Sequence, residues 1–252
     1  MRPSGAKDVE VADVYKGERL AGTLRRFEGG TEFAYRASYV EERGAAVAST
    51  LPLRREPYRH GSGAVPAFFA GLLPEGARLA AVVAAVKTSL DDELSLLLAV
   101  ADDAVGDVSV VPAGADRPAV QHAGPSDPST MSFGALFRNS IDPEAATLDR
   151  ALPGVQDKLS SAMISFPLMH ADGPSILKLS PAGFPLAVEN EAWCLRLARA
   201  VGLRTPDHEV ITDVDHVTAL LVSRFDRAPD PEGYRRIAQE DACQFLGRWP
   251  AD

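Results

Sequence analysis

Four stretches in the second half of this 252-residue chain carry residue types that could handle a nucleotide. In "LPGVQDK" Gly154 stands four residues before Lys158. The backbone N–H groups of Gly154, Val155 and Gln156 could form a small anion nest, and Lys158 would add a positive charge. The stretch is not a Walker A loop, which needs a glycine directly before its lysine and a hydroxyl directly after it. Here Lys158 follows Asp157 and precedes Leu159, and "LSSAMISF" downstream favours a strand over a helix. On spacing alone a plain turn is the simpler reading.

Lys178 lies in the apolar strand-like run "SILKLS". A strand lysine ordinarily keeps its ammonium in water while its stem covers apolar surface. The functional alternative is a phosphate-contacting lysine held by a carboxylate, Glu189 or Glu191, on the next helix. Arg224-Phe225-Asp226-Arg227 ends the run "TALLVS", where an aromatic beside an acid could line an adenine and ribose site; strand ends also carry charges for solubility. "DVDHV" and "MHADG" look like metal or acid–base clusters but lack further ligands at a useful spacing and read better as turns.

These residues must be positioned by recognisable elements. "VEVADVY", "EFAYRASYV" and "GAAVASTLPL" read as strands of a small antiparallel sheet, the second placing Phe33, Tyr35, Ala37 and Tyr39 on one face at period two. "VPAFFAGLLPEG", "GARLAAVVAAVKTS" and "SLDDELSLLLAVADDAVGD" read as helical, and "DVSVVP" as a further strand. Residues 112–130 are rich in proline, glycine and small polar residues, which marks a linker. Beyond them "KLSSAMISF" and "SILKLS" flank a turn at Asp172-Gly173. "AVENEAWCLRLARAVG" reads as an amphipathic helix with Cys194, Leu197 and Val201 on one stripe. "HEVIT" and "VTALLVSRF" close the series as strands. The order after residue 150 is that of the N-terminal lobe of a kinase-like fold: glycine turn, strand, hairpin, lysine strand, acidic helix and two strands.

Composition sets outer limits. With 46% hydrophobic residues the chain can bury a substantial core. A net charge of −9 argues against sequence-independent nucleic-acid binding, which depends on cations displacing counterions from phosphates. No apolar run is long enough to span a membrane, and "MRPSGAKDVE" lacks the apolar core of a signal peptide, so a cytoplasmic location is the expectation. The two cysteines, Cys194 and Cys243, make neither a CxxC pair nor a zinc set and are expected in the core.

In order and spacing, "LPGVQDKLS", "SILKLS", "ENEAWCLRLARAVGL", "LVSRFDR" and "RIAQEDACQFLG" resemble the HipA family of serine/threonine kinases, the toxins of type II toxin–antitoxin pairs. "FFAGLLPEGARLAAVVA" and "LLLAVADDAVGDVSVVP" are similar to that family's N-terminal subdomain. The resemblance implies an α+β chain: a small β-rich N-terminal subdomain at 1–112, a linker at 113–130, and the N-terminal part of a kinase-like core at 131–252, with the helical C-terminal lobe largely missing. It implies ATP and Mg2+ as the family's cofactors. Pro153, Gly154, Val155, Gln156, Asp157 and Lys158 would cover the phosphates, Lys178 would contact them, and Ser223, Arg224, Phe225 and Asp226 would receive adenine and ribose. Family members phosphorylate a protein serine, in the best-understood cases on an aminoacyl-tRNA synthetase. They are restrained by HipB, a small helix-turn-helix antitoxin.

Two departures qualify the resemblance. Ala151 stands where the family's regulatory serine is expected, so self-inactivation there is unavailable, and Pro153 removes one backbone donor from the cradle. The sequence also ends at "CQFLGRWPAD" without a D-x-H-x-K-N catalytic loop or a magnesium-binding aspartate after it. A truncated or frameshifted kinase chain with little turnover is the expectation, with Phe245, Leu246 and Trp249 as exposed apolar surface. A non-catalytic antitoxin-binding module and a decayed gene product are the alternatives.

Overall fold

The computed structural model describes residues 3–100, 104–115, 128–141, 163–181, 183–231 and 233–250; the loop from Pro153 to Lys158 lies outside them. In chain order the first elements are β1 (Val11–Lys16), β2 (Arg19–Phe27), β3 (Gly30–Tyr35), α1 (Ala37–Glu41), β4 (Tyr58–Gly61) and α2 (Ala67–Ala70). Next come α3 (Gly76–Val86), α4 (Glu93–Val100), β5 (Val108–Pro112) and α5 (Phe133–Ile141). The last are β6 (Ile164–His170), β7 (Gly173–Leu179), α6 (Ala187–Ala200), β8 (His208–Thr212), β9 (Thr218–Ser223), β10 (Arg227–Asp230), β11 (Gly233–Arg236) and α7 (Ala242–Leu246). The architecture is mixed α+β, as the sequence predicts. The chain divides into two compact units, Met1–Pro74 with Val82–Val120 and Asp226–Asp252, and Glu75–Ala81 with Gln121–Phe225.

The first unit is built on an antiparallel sheet of order β4-β3-β2-β1-β5. Alternation along β1 and β2 buries Ala12, Val14 and Leu24, and β3 adds Phe33. The Phe33 ring meets Phe69 of α2 edge-on at 5.2 Å, a geometry the ring quadrupoles favour. The period-two reading of "EFAYRASYV" holds only to Tyr35, because Ala37–Glu41 turns into α1. Tyr39 still stacks on Tyr35, since a four-residue offset suits a helical turn as well as a strand face. The strand expected at "GAAVASTLPL" forms only the bridge Ala48–Leu51. Its backbone groups are taken by a side chain instead: the buried Tyr35 hydroxyl accepts from Val47 N at 2.7 Å and donates to Leu51 O. Burial pushes that phenol well above its ordinary pKa, so it stays a neutral donor.

The C-terminal stretch completes this unit. Asp241 and Gln244 form a reciprocal capping box at the start of α7, and Gly247, with φ of 67°, closes the helix. The Gln244 side chain also donates to Phe68 O at 2.8 Å, which ties α7 to α2. Glu240 accepts from Ser49 N at 2.7 Å, and Trp249 donates to Val65 O at 3.2 Å while meeting His60 edge-on. Of the three apolar residues expected at the surface, Phe245 and Leu246 are exposed, whereas Trp249 is partly buried by these contacts. A Cβ added at Gly71 would lie 2.6 Å from Gln244 Cγ, and the Gln244 amide is held at both ends. Gly71→Ala is therefore expected to lower stability by about 1–3 kcal/mol, read as a lower denaturant midpoint. In a Gln244→Ala background the same change should be close to neutral.

The second unit carries an antiparallel sheet of order β6-β7-β9-β8. The β6–β7 loop is Ala171-Asp172, one residue earlier than expected, and Gly173, with φ of 124°, opens β7 opposite His170. One sheet face packs α6 through Val188 and Ala192 against Leu220 and Val222, with Met163 and Leu195 at the margin. Phe166 and Leu177 belong to the opposite face, where the Phe137 ring of α5 lies 5.7 Å from that of Phe166. The stripe expected to be buried on α6 points outward: Cys194, Leu197 and Val201 are exposed, as is Cys243 in the first unit. The packed face follows positions 188, 192 and 195, a helical i, i+4, i+7 row on the other side.

Candidate functional site

Lys178 is the penultimate residue of β7, and its register partner on β9 is Leu220. Directly opposed residues share a face, so Lys178 rises from the surface that α6 covers. There its ammonium meets Glu191 of α6 at 2.6 Å, with side chains 25% and 30% exposed. Of the two acids on α6 offered by the sequence, the structure selects Glu191. The pairing is charge-assisted, partly shielded from water, and bridges strand to helix. A cation in this setting is paired yet still partly open to water and to an anionic ligand.

Ser223, Arg224 and Phe225 lie at the end of β9, beside β7 in the same sheet. The strand stops at Ser223, two residues before the run "VTALLVSRF" ends. Ser223 N donates to Asp207 O at 2.8 Å and Arg224 N to Pro174 O at 2.9 Å, which holds the backbone extended past the strand. Arg224 is buried, and Phe225 presents its ring at 67% exposure.

Asp226 is different. Its side chain is 4% exposed, and Oδ2 accepts from Gly106 N at 2.9 Å and from Arg227 at 2.6 Å. Arg227, itself 2% exposed at the side chain, also donates to Gly106 O at 3.1 Å and Ala104 O at 3.0 Å. Gly106, with φ of 82°, lets the backbone turn in beside Gln239 in a conformation that a residue with a side chain adopts only under strain. The carboxylate that the sequence offered to a ribose is thus engaged with backbone and guanidinium in the first unit. Pro153, Gly154, Val155, Gln156, Asp157 and Lys158 lie outside the described residues.

The most consequential residue that sequence reasoning passed over is Asp213. "DVDHV" forms the turn expected of it, but Asp213 is buried and its carboxylate is the centre of that turn. Oδ1 accepts from Asp215 N and Val217 N, both at 2.8 Å, and Oδ2 accepts from Phe133 N at 2.7 Å at the start of α5. One side chain therefore shapes the β8–β9 turn and caps a helix. Asp213→Ala is expected to cost about 1–3 kcal/mol, because three donors lose their acceptor together. Hydrogen exchange at Phe133 and Val217 should accelerate with it.

Among the described residues no three His, Cys, Asp or Glu side chains converge as a metal site, and no helix is long and apolar enough to cross a membrane. An open cleft of about 320 Å3, lined by Arg19, Leu20, Arg36, Ser38, Tyr39 and Glu42, contains none of the residues that the sequence singled out.

Residues 12–111 match the HipA N-terminal domain and residues 150–252 the HipA-like C-terminal domain. Two curated relatives from Sinorhizobium fredii (strain NBRC 101917 / NGR234) carry the names "Putative kinase Y4mE" and "Putative kinase Y4dM". The first is 29% identical over 95% of this chain and 60% of its own length, the second 29% identical over 96% and 61%. The chain thus spans about three-fifths of the length of these relatives. A solved structure of the Shewanella oneidensis MR-1 toxin–antitoxin system, HipA with HipB and its operator DNA, contains a chain that superposes with a TM-score of 0.66. The match covers 95% of this chain and 57% of that one at 20% identity, which establishes a shared fold.

Proposed function

Because the chain belongs to the HipA family, carrying both its N-terminal and its HipA-like C-terminal domain, we propose that it supplies the nucleotide-holding part of a HipA-type serine/threonine kinase. The observation that carries this reading is the ion pair between Lys178 on β7 and Glu191 on α6, at 2.6 Å. It matches the strand-lysine and helix-acid pair on which kinase-like folds depend. Lys178 would contact the nucleotide phosphates, with Pro153, Gly154, Val155, Gln156, Asp157 and Lys158 covering them. Ser223, Arg224 and the exposed Phe225 would receive the adenine. Asp226, whose carboxylate also accepts from Gly106 N and Arg227, would receive the ribose. ATP, bound with Mg2+, would supply the transferable phosphoryl group and the charge to stabilise its transfer.

The 252-residue sequence contains no Asp-x-His-x-Lys-Asn. In our reading this polypeptide by itself therefore holds nucleotide with little turnover, since transfer needs a positioned nucleophile and metal-assisted charge stabilisation. A HipB-like helix-turn-helix protein is the partner we propose, in the cytoplasm. The fold shared with a HipA solved together with HipB favours this over an unrelated partner. It also supports the second reading, a non-catalytic module that titrates such an antitoxin.

Incubating the purified chain with Mg2+, γ-labelled ATP and cytosolic protein should give no more labelled serine than a Lys178→Met control. Lysine-dependent labelling of any protein serine would overturn both the low-turnover reading and the binding-module reading. Binding of a HipB-like protein with no saturable ATP binding would favour the module.

A further inference from the structure

We propose that Ser180 is a positioning residue for Lys178, acting through the first turn of α6; the proposal rests on the nucleotide reading given above. A helix leaves its first N–H groups without intrahelical partners, and a side chain at the N-cap usually supplies an acceptor. On α6 that position is Leu186, which offers none. Val188 N instead donates to Ser180 Oγ at 3.0 Å, eight residues upstream, just past the end of β7. The helix is therefore capped from the strand that carries the lysine.

The spacing makes the two links act together. Lys178 and Ser180 are two apart on an extended chain and share a face, about 6.7 Å from each other. Val188 and Glu191 are three apart on α6, about 4.5 Å along its axis and on one side of it. Ser180 to Val188 and Lys178 to Glu191 thus form adjacent rungs between one strand face and one helix face. The rungs differ in stiffness. Lys178 and Glu191 are long side chains that can follow one another through several rotamers, so their pair does not fix where the helix sits. Ser180 has one rotatable torsion to its hydroxyl and bonds a backbone group, so its rung sets the axial position of α6. Val188 also belongs to the packed core with Ala192, Leu220 and Val222, which couples this cap to the sheet. Without the Ser180 hydroxyl the first turn loosens, Glu191 loses its register, and the Lys178 ammonium is released from its partner.

Trace acetylation of the folded chain, with the rate at each lysine read by peptide mass spectrometry, tests this without nucleotide. Ser180→Ala should raise the rate at Lys178 about fivefold, the population shift matching loss of a typical N-cap. Ser180→Thr, which keeps the hydroxyl, should restore the original rate, and Glu191→Gln should raise it directly. Lys16, paired with Asp107 in the first unit, should be unchanged in all of them and reports any global unfolding. If Ser180→Ala unfolds the chain, Ser180→Cys decides the question, since it keeps the side-chain shape with a slightly larger atom and weakens the acceptor: Lys178 must acetylate faster and Lys16 must not. An unchanged Lys178 rate in folded Ser180→Ala or Ser180→Cys, alongside an accelerated one in Glu191→Gln, overturns the proposal. The nucleotide reading fails separately, if ATP gives Lys178 of the unmodified chain no protection.

Discussion

Arg227→Ala is expected to destabilise the chain by about 3–5 kcal/mol, the cost of removing one partner from a buried ion pair. The guanidinium is almost fully enclosed and donates to Asp226 Oδ2, Gly106 O and Ala104 O. Taking it away strips a buried carboxylate of its adjacent guanidinium, and removes donors from carbonyls on a loop far away in sequence. The charge dominates, because weakening the pairing of a buried carboxylate costs more than losing a neutral hydrogen bond. Arg227→Lys keeps the charge but not the planar fork that serves several oxygens at once, so an intermediate loss is expected. Denaturant titration of the three chains should give midpoints in the order Arg, Lys, Ala. An alanine variant as stable as the unmodified chain would show that the pair holds nothing together.

Lys178→Met is expected to weaken ATP binding about 10- to 100-fold, the loss of a hydrogen bond to a charged group. Methionine keeps most of the apolar stem, so packing on the α6 face changes little. Glu191 contributes to the effect: once its partner is gone, a carboxylate remains near the place where phosphates would sit. Competition against a fluorescent ATP analogue reads the difference. Thermal stability should move far less than in Arg227→Ala, because the Lys178–Glu191 pair is partly solvated. A large loss of stability with unchanged ATP affinity would make this pair a structural strut.

The strands with regular alternation, such as β7, were readable because every second side chain must be buried. "EFAYRASYV" misled because positions four apart satisfy a strand face and a helical turn equally, and the chain switches from one to the other after Tyr35. "GAAVASTLPL" misled because a single buried phenol from β3 satisfies backbone groups that a strand would otherwise pair. On α6 the apolar residues encircle much of the helix, so periodicity alone did not reveal which row would face the sheet.

At the site, Lys178 stood out as a cation in an apolar run. Choosing Glu191 over Glu189 required the helix to be placed against the sheet. The long-range roles of Asp226, Arg227 and Asp213 were beyond pattern reading. Their long-range partners lie between roughly eighty and well over a hundred residues away, and nothing local distinguishes a keystone carboxylate from a solvated one.

Equilibrium dialysis of labelled ATP against the purified 252-residue chain tests the central claim most directly. One saturable site, displaced by unlabelled ATP and strongly weakened by Lys178→Met, is the predicted result. A folded chain that shows no saturable binding, or binds equally well without Lys178, would contradict it.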